Sequence, residues 1–203
     1  MLALILTSSM ILAAEPAPSA GAAMTRAAQA FLAELSPEQR RRAQLPFDSP
    51  LRKDWHWIPK PTRKGVQIRE MTGKQREAAF ALLQTGLSEA GWRKAQTIFE
   101  LESVLQILEN DSGRVRDPLK YFFTIFGSPS EQGLWGWSAE GHHLSANFVI
   151  QDGKLISAEP TFLGANPRWM PRDMKVGPKK GERTLDAEER LGFELFQIGR
   201  AHV

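Results

Sequence analysis

Two residues constrain this chain more than any others. Asp152-Gly153 stands between "HLSANFVIQ" and "KLISAEPTF". Asp-Gly supplies the positive φ that both central positions of a tight hairpin turn require, and such a turn matches the right-handed twist of the strands it joins. A two-residue loop sets Ile150 opposite Leu155, Phe148 opposite Ser157, Ala146 opposite Glu159 and His143 opposite Phe162. Regular alternation places Leu144, Ala146, Phe148 and Ile150 on one buried face and His143, Ser145 and Asn147 on the other. On the same count His142 points with the apolar set, near Glu140. Upstream, the apolar run "KYFFTIF" reads as a central strand.

Helices precede these strands. One is expected over 25–34. A second opens at "SPEQ", with Ser36 as N-cap, Pro37 in the first helical position and Gln39 closing a capping box. "TGKQ" repeats that signal with Thr72 and Gln75, and Gly86 ends the helix. A third spans about 88–109, carrying Ile98, Leu101, Leu105 and Leu108 on one stripe. Prolines 46, 50, 59 and 61 forbid a long helix between them. Phe47, Trp55, Trp57 and Ile58 in that stretch still need packing partners, so it reads as an ordered loop or edge strand. A Gly-, Pro- and base-rich loop over 164–184 leads to a last helix starting near Leu185. N-terminal helices followed by a small antiparallel sheet with an Asp-Gly hairpin and a C-terminal helix make an α+β domain, expected to occupy 24–197.

Composition removes several function classes. With no cysteine among 203 residues, thiol nucleophiles, disulfides and thiolate metal sites are excluded. A net charge of +3 is too small to argue for nucleic acid. Residues 1–23 read as an export signal and linker: the apolar run "LALILTSSMILAA" is too short to span a bilayer and small residues follow it. Cleavage is expected after Ala14 or Ala22, with no stable membrane span afterwards. A basic segment before the run is missing, which points to a clipped start or to Met24 as the initiator. The final "IGRAHV", 198–203, can be written in codons as the core of a common sequencing adapter. That tail is read as a scar on a longer protein, and His202 is set aside with it.

The stretch "WGWSAEGHHLSANF" holds the candidate site. Adjacent strand histidines cannot both bind one ion unless Gly141 breaks the register. Glu140, His142 and His56 from the tryptophan loop form one candidate ligand set, whose neutral imidazoles and carboxylate suit zinc or another divalent metal. Such an ion would polarise a carbonyl or activate water for hydrolysis. Alternatively His143, Ser145 and Asn147 line a polar cleft, or are a plain solvated face. "WHW" and "WGW" place Trp55 with Trp57 and Trp135 with Trp137, either in the core or as the floor of a pocket for a small-molecule or sugar-like ligand. No metalloprotease, nucleophile-elbow or phosphate-loop signature is present.

Five segments in order, "PFDSPLRKDWHWIP", "LLQTGLSEAGWRKA", "RDPLKYFFTIFGSPS", "WGWSAEGHHLSANF" and "PTFLGANP", resemble the bacterial family catalogued as Domain of Unknown Function 3500, over roughly 35–196. The resemblance implies export and a longer chain with further histidines and acidic residues. It implies no activity, cofactor or catalytic residue. The expectation is an exported, metal-dependent, hydrolase-like enzyme, with an exported binding or structural module as the alternative.

Overall fold

A computed structural model describes residues 19–200. Its helices are α1 (Ala20–Glu34), α2 (Pro37–Ala43), α3 (Gly73–Thr85), α4 (Glu89–Leu108) and α5 (Asp186–Arg200). The strands are β1 (Gln44–Leu45), β2 (Val66–Gln67), β3 (Phe122–Phe126), β4 (Leu134–Gly141), β5 (Leu144–Gln151), β6 (Lys154–Ser157) and β7 (Thr161–Leu163). The fold is α+β, as expected from helices that precede a sheet.

Caps set the helix starts. Ser36 accepts from the Gln39 amide while the Gln39 side chain accepts from the Ser36 amide, and Thr72 and Gln75 repeat the exchange. Each such cap stabilises its helix by about 1 kcal/mol. The first helix starts earlier than its apolar pattern suggests. Ser19 caps it and donates to the Gly153 carbonyl, and Gly21 lies so close to that carbonyl that a Cβ there would overlap it. Met24 is buried in the core, so the domain includes the turn before residue 24. The expected export signal falls in 1–18, and His202 in 201–203, both outside the described residues.

Strands β3, β4 and β5 form the middle of a seven-stranded sheet. Both β1 and β2 pair with the outer edge of β3, β1 in parallel and β2 antiparallel. Both β6 and β7 pair with the outer edge of β5. The sheet is therefore mixed by one short parallel pair, and "FFTIF" is an inner strand as its composition predicts.

Ile150 does oppose Leu155 across the Asp152-Gly153 turn, with positive φ at both turn residues. Beyond that the register differs from a regular hairpin. A bulge between Val149 and Ile150 sets Val149, rather than Phe148, against Ser157. After Pro160, which has no amide to donate, β7 resumes with Thr161 opposite Ala146 and Phe162 opposite Ser145. His143 therefore lies just beyond the ladder, its carbonyl accepting from the Gly164 amide.

One face of the sheet packs on α1 and α3. Phe123, Ile125, Trp135, Trp137, Ala139, Phe148 and Ile150 join Phe31, Leu82 and Leu83 in a single apolar core. The opposite face carries Thr124, Ser138, Glu140, Ser145 and Asn147, all buried. Loop 46–65 covers it, leaving the edge of β3 at β1 and returning to the same edge at β2.

Helix α5 is held at its first turn by ion pairs from Glu188 to Lys94 and from Glu189 to Arg168 and Arg183. Further along, Leu191, Leu195 and Ile198 are exposed on one side. No helix among the described residues is long and apolar enough to cross a membrane.

Candidate functional site

The two histidines are turn residues. Gly141 pairs with Leu144, so His142-His143 form the two-residue connection of the β4–β5 hairpin, with His143 at φ 57°. Gly141 is required there because a Cβ would overlap the Tyr121 ring. The turn corrects the parity expected of one continuous strand. Glu140 sits opposite Ser145 and shares the polar face with Ser145 and Asn147, not the apolar face with Leu144.

The three residues read as metal ligands go to three different partners. Glu140 is gripped by Lys64, whose Nζ donates to both carboxylate oxygens at 2.7 Å and to the Asp54 carbonyl at 2.6 Å. His142 Nδ1 donates to the buried carboxylate of Glu102, while Arg116 lies 3.4 Å from the imidazole and pairs with Glu109. His56 pairs with Asp54 at 3.1 Å, out on the loop surface. Among the described residues no group of three histidine, aspartate or glutamate side chains could hold an ion. His56, Glu140 and His142 are thus not brought together as a zinc ligand set; each is engaged by a different partner, Asp54, Lys64 and Glu102 respectively.

The tryptophans also separate. Trp135 and Trp137 are core residues on the helix side, Trp137 stacking on Phe148 at 4.4 Å. Trp55 and Trp57 lie on the other side, 5.8 Å apart, in a cluster with Phe162. Phe162 also meets the edge of His143 at 6.4 Å. The Trp57 carbonyl accepts from the His143 amide, joining loop 46–65 to the histidine turn. Of the two pairs, only the "WHW" indoles face outward.

A cleft of about 300 Å³ opens between this loop and the polar sheet face. Arg52, Lys53 and Trp55 form the loop wall, and Glu159 and Pro160 the opposite rim. Phe126 and Asn147 form the floor, with Trp137 bordering it along β4. Asn147, Ser138 and Thr124 are register partners on adjacent strands, a polar row across the sheet. The hydroxyls of Thr124 and Ser138 are buried without a hydrogen-bond partner among the described residues. Since buried polar groups are nearly always partnered, this row marks a face built for more than packing. Ser145 and Asn147 are therefore not on a solvated outer face. Arg52, Lys53 and Glu159 were missed by sequence reasoning; their one legible signal was a long proline-rich loop that still carried large aromatics.

Burial perturbs Glu140, Tyr121 and His143. Burial pushes the Glu140 carboxyl above its ordinary range, against the lowering pull of Lys64. Burial likewise drives the Tyr121 phenol well up; its hydroxyl donates to the His142 carbonyl. His143 is lowered to about 4, first by burial and then by the neighbouring His142 and Arg116.

Comparison with known proteins adds the family. A family model described as "Protein of unknown function (DUF3500)" matches residues 18–200. The chain belongs to this family. The DUF3500 match begins before Ser19, so it takes in all of α1, and it extends the resemblance seen over 35–196 in both directions. No curated protein and no solved structure matches. The DUF3500 assignment carries no activity, so the function has to be argued from the cleft.

Two predictions test the electrostatics. Lys64→Met leaves Glu140 buried without its partner, which is expected to cost about 3–5 kcal/mol. Urea unfolding should show a lower midpoint at unchanged m-value, and adding Glu140→Leu should recover much of the loss. For His143 the folded value lies below the unfolded one, so the unfolded chain binds more protons between them. Stability is full above pH 6.5 and falls as pH drops towards 4. His143→Asn, which tolerates the left-handed turn, should flatten that part of the stability profile measured by urea titration.

Proposed function

We propose that this chain is an exported small-molecule-binding module whose ligand occupies the cleft between loop 46–65 and the polar face of the sheet. The observation that carries the reading is the enclosure of a polar, buried sheet face by a long ordered loop that supplies an aromatic wall and two cations. Loops of that length without much secondary structure of their own are mostly functional when ordered. Ligand sites characteristically combine apolar walls with a few fixed polar groups. Binding is favoured over hydrolysis because Glu140, His142 and His56 are committed to Lys64, Glu102 and Asp54, which leaves Glu159 as the one carboxylate among the described residues that line the cleft.

Export rests on the apolar run at 2–14 and the small residues after it. Expression in a Gram-negative host followed by osmotic-shock fractionation should release the protein with the periplasm, shortened at its N-terminus; an uncut cytoplasmic product would overturn that part.

The binding reading is tested by a thermal-shift screen of the full chain against a mixed metabolite library of acids, amines, nucleosides and sugars. A ligand present at about 100 times its Kd adds about 2.7 kcal/mol, a rise of roughly 5–10 °C for a domain of this size. Trp55→Ala should cut the shift by about half or more, with no change in the melting temperature of the free protein beyond about 2 °C. A library with no stabilising member, or a hit untouched by Trp55→Ala, would sink the cleft as a ligand site.

A further inference from the structure

We infer that the ligand class of this cleft is a neutral, polyhydroxylated ring, a mono- or disaccharide, read by Asn147 and Glu159 and stacked on Trp55; the inference rests on the binding reading above.

Asn147 decides the polarity of the floor. Its Nδ2 donates to the Pro160 carbonyl at 2.7 Å and to Ser145 Oγ at 3.0 Å. A carbonyl only accepts, so the amide cannot be flipped and both of its N–H groups are used. What the buried side chain offers the cleft is Oδ1, an acceptor. Glu159 on the rim adds a carboxylate, again an acceptor. A ligand on this side must therefore donate.

The facing wall demands the reverse. Arg52 uses Nε on the Phe47 carbonyl at 3.0 Å, with its guanidinium 4.4 Å over the Phe47 ring, and so stands fixed beside Lys53 as a donor. A ligand on this side must accept. An anion would suit Arg52 and Lys53 but would meet Asn147 Oδ1 and Glu159; a cation would suit those two and be repelled by the arginine and lysine. A hydroxyl donates on one side and accepts on the other without net charge; a carboxamide does so too, but hydroxyls are the groups carried all round the edge of a ring whose faces are C–H. A ring bearing hydroxyls at its edge and C–H groups on its face also matches the half-buried Trp55 indole, an apolar surface beside polar groups. The cavity, about 300 Å³, lies at the small end of ligand sites, which run roughly 300–1,000 Å³, and so favours one or two rings over a longer chain.

The test is calorimetric titration of the full chain with D-glucose, D-galactose, N-acetyl-D-glucosamine and cellobiose, set beside D-glucuronate, citrate and D-glucosamine. At least one neutral sugar is expected to bind, and more tightly than its charged counterparts. Trp55→Ala and Glu159→Ala, both changes at the cleft rim, are each expected to weaken that binding by about tenfold or more, the loss of about 1.4 kcal/mol. Binding of a neutral sugar that neither variant weakens would place it elsewhere and overturn the inference. Binding of citrate or glucuronate alone, weakened by Trp55→Ala, would overturn the sugar class while leaving the cleft as a ligand site. No heat from any neutral sugar, together with a Trp55-dependent hit of another class in the thermal-shift screen, would do the same; no heat and no hit would remove both readings.

Discussion

The buried contact between Lys64 and Glu140 is what the rest of this architecture depends on. Both side chains are almost fully withdrawn from water, at 3% and 2% exposure. Removing two charges from solvent is costly, and the attraction between them repays it only when the remaining hydrogen-bonding capacity is also used. Here Lys64 spends donors on both oxygens of Glu140 and on the Asp54 carbonyl. The arrangement ties a strand in the centre of the sheet to both the start and the end of the covering loop's second half. Arg63 next to it adds bonds to the Ile58 and Gly141 carbonyls. These links add to the apolar contacts of Trp55 and Trp57 with Phe162, and they fix the loop over the polar part of the face.

A second buried polar contact, between Glu102 and His142, does the same for the histidine turn. Glu102 on α4 takes Nδ1 of His142 and also accepts from the Asp117 amide, while Asp117 is held by Arg69. Tyr121 closes the group through the His142 carbonyl. This network docks the fourth helix against the end of the β4–β5 hairpin, where Tyr121 already meets Phe99 of that helix edge-on at 4.3 Å. The imidazole that looked like a ligand in isolation is thus an anchor. His143 beside it is kept uncharged by burial and packs toward Phe162 and the Trp57 backbone.

Legibility in the sequence followed the range of the interactions. Ser36, Thr72 and Gly86 marked helix ends because a cap is satisfied within three or four residues. Asp152-Gly153 marked its turn for the same reason, and the apolar alternation of β5 gave the correct core face. His142-His143 was missed as a turn because neither residue belongs to the usual turn chemistry, and only Gly141 beside Tyr121 shows why the chain reverses there. The bulge at Val149 had no local signal. The partners of Glu140 and His142 lay beyond reach of any spacing rule: Lys64 is 76 residues from Glu140, and Glu102 is 40 from His142. Charge pairing over such separations is decided by topology. A candidate metal set built from residue types alone therefore lists donors without knowing which side chains will engage them.

The two faces of the sheet show why the cleft belongs where it does. On the helix side, Trp137, Phe148 and Ile125 bury apolar area, although the indole N–H groups of Trp135 and Trp137 have no hydrogen-bond partner among the described residues. On the loop side, a row of Thr124, Ser138 and Asn147 is covered as thoroughly but by a segment that does not saturate it. Covering polar groups without pairing them costs stability, on the order of 1–3 kcal/mol for each one left unmade. A chain folded for packing alone would place valine or isoleucine at such positions, as strands buried on both faces generally do. Retaining hydroxyls and an amide beneath a loop secured by a buried ion pair is a cost, and the row ends in Asn147, which lines the cleft whose walls carry Trp55, Arg52 and Glu159. Sites where local rules are broken against stability are where function is expected to reside.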